Sequence, residues 1–547
     1  MTTVNKKTLE KIGILYFIFL LPMLAIQFNL DNDTYWIIKT GEYICSNWLP
    51  QTDFLTMHTD MELVIQQWLS DVIFYNAYKI LGIAGPIILA YCIYVLFACL
   101  FYKLSLTITQ NKIFAITAVF IGSLYIAKYY IVTRPQIFTY CIILIQLLAL
   151  EKYVKTGKIK HLAVLPVLSV LLVNLHASMW TMLFLIMLPY IVNSLPVKIK
   201  GKSLSCCKTL PLLAVTVLMA LCGLATPYGY KGLAFIFTTS IGDKVNSSIN
   251  ELAPLTLSLT SFGLLQFAIV ALVAAVYIIH KKGKTELRFI LLTVGTGIMA
   301  FLYIKLVPYF IIAAYPAALR YLDDIKIDLN KLPKRKNSKI SPKTTKLSIV
   351  IILVCIVVLM ATVVIQNVSN AVEYVKTDGE NSYTRQLDEA LDAIEKDAEK
   401  HNTEIVLYNG FNSGAYLEFK GYTTYIDPRA DSFVVEANND YDYLTEYFDF
   451  KNGDVYYEDI IEKYGFTYLI VESPGENTLK TNLSNDDDYK IIYEDEKITA
   501  FKKAYKRPPC KSKGVKFFTF LLFLHEKLLR CQTPYKQKRN EHRQPRQ

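Results

Sequence analysis

The sequence is short of charge. Asp, Glu, Lys and Arg make up 19% of its 547 residues, against about 25% in an average soluble chain. It is also short of the patterns that give cysteine a job. Ten Cys are present, with no CxxC pair and no Cys/His cluster, and the segment 367–501 has none. Neither a zinc site nor a disulfide framework is indicated. What is abundant is apolar: 53% of residues are hydrophobic and the mean hydropathy is +0.30. The excess falls in blocks of roughly 15–20 residues, the length that crosses a bilayer core of about 30 Å. A soluble enzyme, a disordered chain and a coiled coil are excluded. The net charge of +11 does not point to nucleic acid, because most Lys and Arg lie in short loops between apolar blocks, where they set topology.

Loop charge gives the expected arrangement. Lys6, Lys7 and Lys11 precede an apolar run from Ile12 to Phe28. That run resembles a signal peptide, but it lacks a small-residue cleavage pattern and acidic sequence follows at once. It reads as an uncleaved first span with the N-terminus cytoplasmic. Residues 29–82 carry seven acids against Lys39 and Lys79, so they read as an outside loop. Within it, QQWLSDVIFYNAYKIL has the spacing of an interfacial helix. Further spans are expected near 84–101, 113–128, 135–150, 162–174, 177–192, 209–226, 262–280, 287–304, 306–322 and 347–366. The apolar stretch 162–192 is too long for one ordinary span, and both its flanks are basic. It therefore reads as two short spans joined at Asn174-Leu175-His176. The total is about eleven spans, with residues 1–366 as a transmembrane domain.

Residues 367–503 read as a small extracytoplasmic α/β domain. The stretch 367–501 holds 30 acidic and 11 basic residues, which as a default is only a solvated face. Residues 380–400 have helical spacing, and the runs EIVLY, AYLEF, TTYID, YLIVE, KIIYE and ITAFK are β-type. From Lys502 onward the chain carries 14 Lys and Arg. The tail 504–547 is expected to be disordered or to lie on anionic lipid.

Unusual polar residues collect at the outside edge of this topology. Asp31 and Asp33 follow the first span directly. They are either loop solvation or a general base for an acceptor hydroxyl, with a divalent cation as a further use. Arg134 in Thr133-Arg134-Pro135 either snorkels to headgroups or binds a lipid phosphate bidentately. His176 interrupts an apolar run, as a satisfied structural histidine or as a ligand for phosphate or hydroxyl. Lys305 breaks about 30 apolar residues, as a turn marker or a phosphate-neutralising cation. Thr226-Pro227-Tyr228-Gly229 reads as a turn, and Glu251 as a solvent-facing acid or a second carboxylate. Acids and cations at one interface suit a lipid-phosphate substrate. A channel would need polar residues at mid-depth of several helices, and the spans are mostly clean apart from Gln146 and Gln266.

The opening "DNDTYWIIKTGEYICSNWLPQTDFLTMHTDMELVIQQWLSDVIFYNAYKILG" resembles a large family of bacterial membrane proteins of the GT-C glycosyltransferase type. "TRPQIFTY", "LLVNLHASM", "TPYG", "KLVPYFIIAAYP" and "NGFNSGAYLEFKGYTTYIDPRADSF" are similar to its later landmarks, and the resemblance runs to about residue 503. It implies a GT-C-like polytopic α-helical fold. It also implies a polyprenyl-phosphate-sugar donor, a glycan, lipid or protein acceptor, and catalytic acids at Asp33 and Asp31, with Asp33 favoured as base. Substrate-binding roles are expected for Arg134, His176, Lys305 and Glu251. No cofactor is required, no metal ligands are assigned, and a divalent cation stays open. Where many relatives have His-Glu before Trp-Leu, this chain has Gln66-Gln67. Two alternatives stand beside the transferase: a non-catalytic scaffold for envelope polymer assembly, and a lipid-linked glycan transporter.

Overall fold

The computed structural model describes residues 13–15, 17–24, 29–130, 132–199, 202–203, 205–238, 253–254, 268, 270–275, 277–278, 286–324 and 342–504. Glu251, most of the expected span 262–280 and the tail beyond 504 lie outside them.

The chain is mostly helical, with a small sheet near its C-terminal end. After an apolar helical segment at Gly13–Leu24 come α1 (Asn32–Asn47), α2 (Trp68–Leu81), α3 (Ala84–Thr109), α4 (Lys112–Tyr130), α5 (Gln136–Thr156), α6 (Val164–Leu175) and α7 (Thr181–Ser194). They are followed by α8 (Thr209–Cys222), α9 (Tyr230–Thr238), α10 (Leu287–Leu302), α11 (Val307–Asp324) and α12 (Pro342–Lys376). Four of the described helical stretches are long and apolar enough to cross a membrane: Ala84–Thr109, Gln136–Thr156, Ala177–Ser194 and Val358–Lys376. That is fewer than the eleven expected. Over the described residues the other apolar stretches are shorter: Lys112–Ser123, Ile159–Leu175, Thr209–Cys222 and Leu287–Leu302 among them. The apolar window of α5 is 78% buried and that of the last stretch only 6%; α5 is central and α12 is an outer helix. Tyr94, Phe97 and Phe101 of α3 are fully buried, and Phe97 meets Tyr140 of α5 edge-on.

Three breaks share one edge of the bundle. Between α4 and α5, Pro135 disfavours the helical conformation at Arg134 and stands directly before α5 with a helical φ of -57. Between α6 and α7 the backbone leaves the helix at His176. Between α10 and α11 it turns extended at Tyr303, and Pro308 opens the next helix. The expected break within 162–192 is therefore present at the expected residue.

The C-terminal unit begins after α12 with α13 (Ser382–His401), opened by a reciprocal cap between Asn381 and Thr384. Its strands are β1 (Leu407–Asn409), β2 (Tyr468–Glu472), β3 (Tyr489–Glu494) and β4 (Ile498–Lys503). The sheet order is β1-β2-β4-β3, with β1 and β2 parallel and the other pairs antiparallel. Every residue of β2 is buried, as a strand covered on both faces must be. One face packs on Leu387, Leu391 and Ile394 of α13 together with Leu30, Tyr35 and Ile38. The other meets Phe433, Tyr447 and Phe450. One expectation is corrected here. AYLEF is not a strand but lies in a helix, α14 (Gly414–Lys420), closed by Gly421 at φ 96. Its first five residues are all buried, so its sequence carries no one-sided helical stripe. TTYID forms no strand beyond a bridge of Thr424 to Thr56.

Candidate functional site

Asp31 caps α1, its carboxylate accepting from the Asp33 amide at 3.1 Å. This is the favoured chemistry for an N-cap and puts acidic charge at the positive end of the helix. The capped end is then pinned to the α4–α5 turn. The Asp31 amide donates to Thr133 Oγ1 at 2.9 Å, and Thr34 Oγ1 donates to the Thr133 carbonyl at 2.9 Å. Pinning brings Arg134 onto both acids: its Nε pairs with Asp31 and its terminal nitrogen lies 3.2 Å from Asp33 Oδ2. A cavity of about 190 Å³ opens beside this group, lined by Asn29, Leu30, Asp31, Asn32 and Val132.

The other two breaks close on the same place. Tyr130, at the end of α4, donates to the Ile304 carbonyl at 3.0 Å, tying the Lys305 turn to the Arg134 turn. Thr139 Oγ1 is 2.7 Å from His176 Nδ1, which leaves Nε2 as the nitrogen for a ligand. His176 is half-buried, and burial first, then Lys305 and Arg134, hold its pKa down at about 3. It is therefore a neutral imidazole and not a third cation. Lys305 is half-buried. Asp31, Asp33, Arg134, His176 and Lys305 are thus brought together, while Glu251 lies outside the described residues.

The first loop fits over this edge. The Ala177 amide donates to the Gln66 carbonyl at 2.9 Å, Ser70 Oγ to the Leu175 carbonyl at 2.6 Å, and Trp68 Nε1 to Asn174 Oδ1 at 2.7 Å. Gln66-Gln67 therefore sits on the His176 turn. The 226–229 turn is structural: Gly229 takes φ 55, and Tyr228 donates to the Pro50 carbonyl at 3.2 Å.

Several residues that the sequence reading does not single out organise the site. α1 packs so tightly on α2 that a Cβ on Gly41 would stand 2.1 Å from the Asp71 carbonyl oxygen. Arg429 of the C-terminal unit is buried between Asp427 and Asp53, with its Nη1 2.8 Å from Asp53 Oδ1. Asp53 also accepts from the Thr56 amide at 2.9 Å. Burial opposes ionisation of Asp53, but Arg429 and Thr56 overcome it and lower its pKa. Two residues on, Asp431 is half-buried beside Gln66, and burial raises its pKa while Lys305 opposes the rise. The only sequence signal was the quoted run "DPRADSF", whose charges gave no direction.

Among the described residues no group of three or more His, Cys, Asp or Glu is placed to hold a metal ion. Asp31 and Asp33 could offer carboxylate oxygens to a hard cation, which would have to displace the Arg134 guanidinium.

No family model matches the chain, and no curated protein matches it either. Among solved structures, it is similar to the apo form of the Archaeoglobus fulgidus oligosaccharyltransferase. Identity is 13% and the TM-score 0.47, over 84% of this chain and 69% of that one.

Proposed function

We propose that the protein is a membrane glycosyltransferase. It moves a sugar from a polyprenyl-phosphate donor to an envelope acceptor at the outer membrane face, with inversion at the anomeric carbon. The observation that carries this reading is the meeting of three helix breaks, bearing Arg134, His176 and Lys305, with the Asp31–Asp33 pair at one bundle edge. Cations and a neutral imidazole suit a lipid phosphate, and a carboxylate beside them suits a base.

The geometry suggests an order of events. Without donor, Arg134 holds both acids. An arriving phosphate competes for that guanidinium, with Lys305 nearby and His176 Nε2 free to hydrogen-bond. Asp33 is then released to accept the proton of an acceptor hydroxyl as that oxygen attacks the anomeric carbon. The sugar–phosphate bond breaks and polyprenyl phosphate leaves, its charge stabilised by the same cations. A monophosphate leaving group carries less charge than a diphosphate, so no metal is required by this scheme, and a divalent cation at the acids stays compatible with it.

The test is sugar transfer in isolated membranes from labelled polyprenyl-phosphate sugars, comparing wild type with Asp33→Asn at matched expression. Loss of a general base lowers the rate by about 10²–10⁴-fold. Unchanged transfer in the variant would overturn the assignment of Asp33. A scaffold is the second reading, favoured by Gln66-Gln67 standing where the resembling family carries His-Glu. A scaffold shows no transfer from any donor and tolerates Asp33→Asn.

A further inference from the structure

Resting on the glycosyltransferase reading, we propose that Asp431 of the C-terminal unit and Gln66 of the first loop form a sugar subsite that binds adjacent hydroxyls of the donor's glycosyl group. The C-terminal unit then supplies a substrate contact and is more than a cover over the bundle edge.

Asp431 is held where a ligand can meet it. The buried Arg429 locks the backbone through Asp427 and Asp53, and a single 3-10 turn, Ala430–Ser432, follows. Ala430 and Ser432 are buried, whereas Asp431 between them keeps a part of its surface exposed. Its Oδ2 lies 3.5 Å from Gln66 Nε2, a long contact that leaves most of the carboxylate's accepting capacity unused. Gln66 is fixed in turn by its backbone bond to Ala177, next to His176.

A second observation points to a ligand. Gln66 Oε1 is buried and has no hydrogen-bond partner among the described residues. A buried polar atom without a partner is unfavourable, and a ligand hydroxyl would supply that partner. Gln66 Oε1 and the Asp431 carboxylate are both acceptors, and they need O–H or N–H donors. Lys305 lies within electrostatic reach of both Asp431 and His176, and Gln66 is bonded through its backbone to Ala177 beside His176, so the two acceptors stand close to the phosphate-binding group. A lipid-phosphate sugar matches this polarity: its phosphate meets cations and its hydroxyls meet acceptors. Sites that hydrogen-bond a hydroxyl reject analogues lacking it strongly, which makes this pair the place where the sugar is read.

Binding to the full-length protein in nanodiscs, followed by native mass spectrometry, tests this. The probes are polyprenyl phosphate, polyprenyl-phosphate-glucose and polyprenyl-phosphate-N-acetylglucosamine of equal chain length. Wild type is expected to bind a sugar-bearing lipid about 10-fold more tightly than the bare phosphate, an increment of about 1.4 kcal/mol. Asp431→Ala should erase that increment and leave bare-phosphate binding unchanged, with Asp431→Asn retaining part of it. Arg134→Gln should weaken all three probes. An increment that survives Asp431→Ala, or wild type that binds all three lipids equally, overturns the subsite while leaving the phosphate site standing. If wild type binds none of them, the glycosyltransferase reading fails and the subsite falls with it. Should Asp431→Ala also lose the bare phosphate, Gln66→Ala decides by the same criterion.

Discussion

Two arginines in this molecule each hold two aspartates, and they do so in opposite surroundings. Arg134 meets Asp31 and Asp33 at the bundle edge, with about a fifth of each side chain exposed. Arg429 meets Asp53 and Asp427 with 7% of its own side chain exposed and none of theirs. The ions are the same but the energetics differ. Partly hydrated charges can separate at little cost, whereas buried ones cannot part without leaving an uncompensated charge in a low-dielectric interior. The buried cluster therefore serves as a clip that registers the first loop on the C-terminal unit. The open cluster can exchange partners, as a binding site must.

The largest effect should come from breaking the clip. Arg429→Leu leaves Asp53 and Asp427 buried without a cation, beside Glu418, whose own carboxyl is already pushed up by burial and by Asp427. We expect a loss of about 3–5 kcal/mol, read as a lowered Tm and as new protease cleavage between residues 50 and 60. Arg134→Leu, the matching change in the open cluster, should stay near 1 kcal/mol. Equal losses in the two variants would end the distinction.

The second effect uses acids that burial has raised. Glu476 is pushed up to about 7, first by burial and then by Glu472, while its Oε1 accepts from Tyr408 at 2.8 Å and Tyr447 at 3.0 Å. Between the ordinary glutamate value and 7, the folded protein holds this proton more tightly than the unfolded chain does. Stability therefore falls as pH rises through that window, by about 3 kcal/mol at most. Unfolding of wild type and Glu476→Gln at about pH 5 and pH 8 checks it. Wild type should lose more stability than the variant between the two conditions, and parallel profiles would refute the assignment.

What could be read in advance follows from where burial is one-sided. The stretch 162–192 had two basic flanks and too many apolar residues for one crossing, so a break at His176 was legible. β2 reads as a strand because it is short and its first four residues, Tyr-Leu-Ile-Val, are an unbroken apolar run with two β-branched side chains. α1 was not legible as a helix: its buried face, Thr34, Tyr35, Ile37, Ile38, Thr40, Gly41 and Ile44, mixes hydroxyls and a glycine with apolar residues, which weakens the apolar stripe. α14 misleads because its first five residues are all buried. At the site, charge at an interface was visible in the sequence. The pairing of Arg134 with both acids depends on Thr133 pinning the α1 cap, and the placement of Asp431 depends on the buried clip. Both are contacts between segments about a hundred residues apart or more, and no local pattern encodes them.

The smallest expected effect is the one that separates stability from function most cleanly. Asp33→Asn removes one carboxylate from Arg134 but leaves Asp31 in place, both as the α1 cap and as the nearer partner of the guanidinium. The lost pair is partly hydrated, so its contribution is at most about 1 kcal/mol and shrinks as salt screens it. The variant's Tm should lie within a few degrees of wild type at low salt and converge on it at high salt. A loss comparable to that of Arg429→Leu would mean that the Asp31–Asp33–Arg134 group is itself a structural clip, and the base assigned to Asp33 would lose its support. A near-silent change in Tm together with lost transfer would place the role of Asp33 in chemistry, because nothing in the fold would then register its absence.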